Sequence, residues 1–135
     1  MFLRKTMKIL TLFLLGGTAY GIIELLWRSY THWSMLLTGG LCFLLMYSVY
    51  TKHTDMNIFK RFLCGSMIIT AVEFPLGLIL NSCLKLHIWD YSNLHFNLFG
   101  QVSLLYSFLW GLLAVPVSYL CITIDKLILK HEKDI

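Results

Sequence analysis

One apolar stretch of the sequence, residues 62–84, carries small and polar residues at helical spacing. Successive steps of four, three, four and four residues place them on one narrow stripe of a helix. Because a polar group that faces lipid is costly, we expect the stripe to face the interior of a helix bundle. Its members are Ser66, Thr70, Glu73, Gly77 and Asn81.

Glu73 is the only ionisable residue of this stripe, and it is therefore the member that could carry a charge or a proton. It lies ~16 Å into the run, near the middle of a hydrocarbon core that is ~30 Å thick. A carboxylate at that depth is costly unless it is paired or protonated. Pro75 follows closely, and a proline leaves the Ala71 carbonyl free to bind a cation or a hydroxyl. Two interpretations stay open. Glu73 is either a proton, ion or substrate site, or a buried Glu that bonds Arg28 or another helix and fixes helix register.

The first apolar run has a comparable seam. Gly17 and Gly21 form a GxxxG pair that lets another backbone come close, and Glu24 and Arg28 follow on the same face. Glu24 and Arg28 are four residues apart and can neutralise each other. The alternative is that Arg28 turns inward toward Glu24 and Glu73, where it could bind an anion. The last run has a seam of its own, made of Ser103, Ser107, Gly111, Ala114 and Ser118.

The segment 85–101 is rich in aromatic and hydrogen-bonding residues. Trp89, Tyr91 and Ser92 suit an interfacial or re-entrant cover over the outer mouth of the bundle. An aromatic belt at the membrane surface explains the same composition. If the segment is instead a lid, it would supply Asp90, Asn97 and Gln101 to a site.

Other kinds of chemistry find little support in the sequence. The five histidines lack ligand spacing and the four cysteines stand singly in apolar runs, so we predict no metal site, disulfide or cofactor. There is no GxSxG nucleophile motif and no GxxxxGK[ST] phosphate loop, so the chain cannot hydrolyse ATP by itself. We assign no catalytic residue, and an enzyme is the less favoured interpretation.

These residues must be positioned by membrane helices. Apolar residues make up 58% of the chain and charged residues 13%, with a mean hydropathy of +0.72. About 20 apolar residues span a bilayer as a helix, so the pattern predicts an all-α bundle of four transmembrane helices in a single domain, residues 1–135. The predicted helices cover about 8–27, 33–50, 62–84 and 99–124, followed by a cytoplasmic amphipathic tail, 125–135. A signal peptide is an alternative for the first run.

Basic residues predict the orientation. Arg28 and Lys85 are expected on one side of the membrane, and the other nine of the eleven basic residues on the opposite side. Basic residues in short loops stay cytoplasmic, so both termini should be cytoplasmic. An anionic inner leaflet accounts for the net charge of +4, and no nucleic-acid partner is needed.

An ordered series of residues resembles a known family. The series runs from Tyr20, Glu24 and Arg28 through His32-Trp33-Ser34-Met35, Gly39-Gly40 and Ile69-Thr70 with Glu73, to Trp89-Asp90-Tyr91-Ser92, Asn97, Gly100-Gln101 and Trp110. It is similar to the ABC-transporter type IV family, small bacterial proteins of the cell (inner) membrane regarded as ABC transporter permeases. The resemblance covers about 17–112 and marks Glu24, Arg28, Glu73, Trp89, Asp90, Asn97 and Gln101 as motif positions.

The resemblance implies transport but no substrate. Four helices are fewer than ordinary ABC permeases have, and the loop 51–61 is short for a coupling helix that docks an ATPase. Three hypotheses follow. The first is a transport subunit, working as a homo-oligomer or with a separate ATPase. The second is a small membrane enzyme or lipid-binding protein whose outward pocket uses Asp90, Glu24 or His32. The third is a structural accessory protein. The resemblance places transport first.

Overall fold

Four helices dominate a computed structural model of the chain, which describes residues 2–28, 32–85, 93, 96–100 and 102–134. Helix α1 is Phe2–Arg28, α2 is Trp33–Lys52, α3 is Ile58–Gly77 and α4 is Leu104–Asp134. A π-helical turn, Leu78–Cys83, extends α3. All four helices are long and apolar enough to cross a membrane. The predicted all-α fold with four transmembrane helices is therefore confirmed.

A short hairpin precedes α4. Strands β1, Asn97–Leu98, and β2, Val102–Ser103, pair antiparallel over two residues each. Between them, Phe99 and Gly100 have φ angles of 53° and 73°, which an α-helix does not allow. The fourth helix therefore begins at Leu104, later than the apolar run that starts at residue 99. It continues through the segment interpreted as a tail, to Asp134.

The helices pack as two hairpins. Helix α1 packs mainly on α2, α3 packs mainly on α4, and α2 touches both α3 and α4. The centre of the core, where α2, α3 and α4 meet, contains the fully buried Tyr50, Ala114 and Cys121. Helix α2 is thus the element that joins the two hairpins.

Local signals explain where α3 begins and where its winding changes. The Asn57 side chain caps its first turn by accepting a hydrogen bond from the Lys60 backbone N–H at 2.8 Å. Pro75 interrupts the regular hydrogen-bond ladder, and π winding follows from Leu78. The Leu78 N–H points to the carbonyls of both Phe74 and Pro75. The proline thus changes the helix winding just beyond Glu73.

The Gly17–Gly21 pair brings α1 very close to α2. A Cβ on Gly17 would lie 2.5 Å from the Leu36 carbonyl oxygen, which is a backbone atom. A Cβ on Gly21 would lie 2.5 Å from Leu36 Cδ2, the end of a side chain that can rotate. An added methyl group at either glycine would therefore collide with Leu36. The collision is with the backbone at Gly17 and with a movable side chain at Gly21.

We predict that Gly17→Ala and Gly21→Ala differ in stability. Gly17→Ala must push α1 off the α2 backbone, and overpacking of this kind costs about 1–3 kcal/mol. Gly21→Ala requires only a rotamer change at Leu36, and the better helix propensity of Ala offsets it by about 0.5–1 kcal/mol. Thermal unfolding of the two variants in the same detergent measures the difference. Equal loss of stability would contradict the assigned helix contact.

Candidate functional site

Glu73 lies inside the bundle, where three other helices approach it. Its side chain is 4% exposed. Cys42 of α2 and Glu24 of α1 lie within electrostatic reach of its carboxyl group, and Trp110 of α4 directs its indole N–H toward it. The structure therefore places Glu24 and Glu73, two of the predicted site residues, within electrostatic reach of each other.

Trp110 is the one polar donor placed at Glu73 among the described residues. The two groups do not close a well-formed hydrogen bond, because Glu73 Oε1 and Trp110 Nε1 are both buried and lack a partner in the described part of the chain. The Trp110 ring also packs on Tyr20 of α1, with ring centroids 5.6 Å apart. Sequence reasoning had used Trp110 as a motif residue and had given it no role at the site.

Two hydroxyl residues of the α3 stripe, Ser66 and Thr70, contact α4. Ser66 Oγ donates to the Ser107 carbonyl at 2.7 Å, and the hydroxyls of Thr70 and Ser107 are 2.7 Å apart. These contacts hold α3 to α4 just before Glu73. Both hydroxyl groups of the stripe therefore have a partner on α4, whereas one oxygen of the carboxyl group has none among the described residues.

The other predicted site residues are only partly described. Arg28 is the last residue of α1, and its side chain lies outside the described part. Asn97 is in β1, where its side chain accepts a hydrogen bond from the Gly100 N–H at 3.0 Å and so closes the hairpin turn. The remaining predictions fall outside the described residues, and these are Asp90 and Gln101 of the site and Trp89, Tyr91 and Ser92 of the cover.

Comparison with known proteins identifies the family. The family model described as "Putative ABC-transporter type IV" matches residues 11–134. The chain belongs to this family. Neither a curated protein nor a solved structure matches it. The family and the four apolar helices together fit a membrane transporter-like protein, and the resemblance seen in the sequence is confirmed.

Arg61 is an interior residue of this family member that sequence reasoning placed in a basic loop. It is 4% exposed. Its guanidinium group donates to the Thr54 and Met56 carbonyls and to Ser118 Oγ, each at 2.9 Å. It also lies 4.2 Å from the centroid of the Tyr119 ring. Arg61 therefore ties the connection between α2 and α3 to the middle of α4.

A second polar cluster joins α1, α2 and α4 at the same end of the bundle. Tyr47 Oη donates to Asp125 Oδ1 at 2.6 Å, and Lys8 Nζ lies 3.7 Å from the same oxygen. The Lys8 ammonium also lies 5.4 Å from the centroid of the Tyr47 ring. Tyr50 adds a further tie by donating to the Arg61 carbonyl at 2.6 Å. This end of the protein is thus closed by several polar contacts between helices.

We predict that Arg61→Ala destabilises the protein strongly. The substitution removes the donor to the buried Ser118 hydroxyl, and a buried polar group left unsatisfied costs about 1–3 kcal/mol. It also removes the donor to two part-buried loop carbonyls. Arg61→Lys should rescue only part of the loss because an ammonium group lacks the planar fork that reaches all three acceptors. The matched control is Lys60→Ala at the exposed neighbouring position, where we expect a change within about 0.5 kcal/mol. Chemical or thermal unfolding in micelles measures both, and equal stability of the two alanine variants would show that the Arg61 contacts contribute nothing.

Proposed function

We propose that the protein is the membrane-spanning subunit of a transporter that works with a separate ATPase, and that Glu73 forms its interior substrate or proton site. The observation that carries the proposal is the Glu73 carboxyl group, which is buried in a membrane helix and has one oxygen without a hydrogen-bond partner among the described residues. Such groups are costly in a bilayer and are retained mainly where they bind or relay something. The family supports the transport role.

A purely structural role explains Glu73 less well. The hydroxyl contacts of Ser66, Thr70 and Ser107 already fix α3 against α4. A carboxyl group that served only to set helix register would be expected to close its own hydrogen bonds. Glu24 nearby adds repulsion instead of a countercharge. This arrangement favours a site that a proton or a positively charged group completes.

The proposed orientation places both termini in the cytoplasm, with the protein in the bacterial inner membrane. Nine of the eleven basic residues belong to the chain segments at one end, and basic loops stay cytoplasmic. Contacts of Asp125 with Lys8 and Tyr47 support this grouping because they join the start of α1, the end of α2 and the late part of α4. The connection between α2 and α3 belongs to the same end.

The start of α3 is the surface we propose for contact with the ATPase. Ile58 and Phe59 are 63% and 66% exposed, and the exposed Lys52 and Lys60 flank them. Arg61, directly behind them, anchors the segment to α4. A rigid apolar surface at the proposed cytoplasmic end is suited to transmit movement from a soluble partner to the helices around Glu73.

Co-purification tests the ATPase partner. Tagged protein extracted gently from its native membrane should carry a nucleotide-binding subunit in fixed ratio, identified by mass spectrometry. Phe59→Asp should release that subunit, whereas Trp33→Asp, at the similarly exposed start of α2, should retain it. Recovery of the wild-type protein alone, or with lipid only, would contradict the proposed partnership.

We predict that Glu73→Gln abolishes function while the folded protein stays in the membrane. Gln keeps the size of the side chain but cannot carry the charge or exchange a proton. Untargeted mass spectrometry of cells and medium should show the same metabolite differences from wild type in a Glu73→Gln strain as in a deletion strain. Thr123→Val is the matched control, since Thr123 is exposed and its hydroxyl bonds the Tyr119 carbonyl of its own helix. A Glu73→Gln strain with the wild-type profile would refute the interior site.

A further inference from the structure

An elongated apolar cavity lies between α1 and α4. Its volume is about 150 Å³, and its two walls are formed by side chains within 15–23 of α1 and 110–120 of α4. Three buried side chains of α2 and α3, Cys42, Met46 and Ile69, form the floor. Among the described residues, none that lines the cavity carries a charge.

One long side of the cavity is open. Leu15 and Leu120, which are 47% and 49% exposed, lie at its rim, and Ala19 between α1 and the opening is exposed as well. Because α1 and α4 are membrane-spanning helices, this side faces the hydrocarbon of the bilayer. An apolar cavity of this kind stays free of water and takes up apolar molecules instead. We therefore expect its occupant to come from the bilayer.

The length and direction of the cavity match those of a lipid acyl chain. The lining extends over eight residue steps on α1 and ten on α4, which correspond to ~12 and ~15 Å along the two helix axes. Half of a hydrocarbon core that is ~30 Å thick is also ~15 Å, and this is the depth that one acyl chain occupies. The long axis of the cavity follows the helices across the membrane, as acyl chains do.

The depth of the cavity selects the acyl chain over other parts of a lipid or a protein helix. Trp110 lies ~9 Å from Leu104 at the start of the α4 span, and Leu120 lies ~15 Å from Lys130 at its end. A headgroup stays at the interface and does not reach this depth. An α-helix with its side chains is about 10–12 Å across, which is too wide for an elongated cavity of about 150 Å³.

From this arrangement we infer that the cavity binds one acyl chain of a membrane phospholipid, which lies lengthwise between α1 and α4. The inference goes beyond the proposed function and does not depend on it, because the Glu73 carboxyl group is not part of the lining. Trp110 is the lining residue that directs its N–H toward Glu73, so the bound chain touches the other side of the same indole ring.

The fluorescence of Trp110 tests the inference, because the bound chain would contact its ring. Trp110 becomes the only tryptophan when Trp27, Trp33 and Trp89 are replaced by Phe, and Trp27 and Trp33 are 68% and 63% exposed. This variant is placed in nanodiscs of phosphatidylcholine that is brominated in the middle of its acyl chains. Bromine quenches tryptophan on contact, so we expect Trp110 to lose fluorescence relative to unbrominated lipid. The loss should follow the brominated fraction as a single lipid position does.

A variant that fills the cavity provides the second test. Ala19→Phe adds a ring at an exposed lining position without overpacking the core, and it should protect Trp110 from quenching. Leu112→Phe is the matched control on α4, because Leu112 is 51% exposed and is not part of the lining. It should leave the quenching of Trp110 unchanged.

A reporter outside the cavity makes a negative result decisive. Leu112→Trp combined with Trp110→Phe places a tryptophan directly against lipid, where it should be quenched with or without Ala19→Phe. If that reporter is quenched and Trp110 is not, the cavity is empty or covered by protein and the inference is overturned. Equal quenching of Trp110 with and without Ala19→Phe would also overturn it, because the chain would then contact the ring from outside the cavity. Neither result bears on Glu73, whose role is tested by the metabolite profile.

Discussion

Inside a bilayer a polar group must find its partner within the protein, because hydrocarbon offers none. The contacts between helices follow from this constraint. Arg61 reaches Ser118 and two carbonyls, Tyr47 reaches Asp125, and the hydroxyl groups of α3 and α4 bond each other. The Tyr47–Asp125 contact joins the two hairpins, whereas the Arg61 and hydroxyl contacts hold α3 to α4 or close the connection between α2 and α3. Satisfying the polar groups therefore also fixes the bundle. Glu73 Oε1 departs from the pattern, since it has no partner among the described residues.

The sequence was sufficient to predict the four helices and the stripe that contains Glu73, because both depend on local periodicity. Arg61 shows the limit of that reasoning. Lys60 and Arg61 are adjacent basic residues in the first turn of α3, yet Lys60 is exposed and Arg61 is only 4% exposed. The difference arises from Ser118, 57 residues later, and from Tyr119 beside it. The position of Trp110 beside Glu73 could not be predicted either, because it depends on how α3 and α4 pack in the complete bundle.

The two halves of the α1–α4 boundary are built differently. Toward the proposed cytoplasmic end, Lys8, Tyr47 and Asp125 join α1, α2 and α4 through polar contacts. Farther along, the same helices separate around an apolar cavity, and the Tyr20–Trp110 ring contact bridges them there. Polar contacts are directional and hold a fixed geometry, whereas an apolar gap against lipid can open with little loss. The α1–α4 boundary is therefore held by polar contacts near one end and by ring packing beside the cavity.

This asymmetry bears on how a four-helix protein could move a substrate. A conducting path through the centre of so small a bundle would have to pass Tyr50, Ala114 and Cys121, which are fully buried and tightly packed. Gly65 and Gly111 show the same density, because an added Cβ would collide with Ala114 and with the Phe62 ring respectively. The cavity at the α1–α4 boundary is not lined by these core residues, and Trp110, which does line it, lies beside Glu73. The packing thus leaves a cavity at the α1–α4 boundary, while α1 is held to α2 by their extensive contact through Gly17 and Gly21.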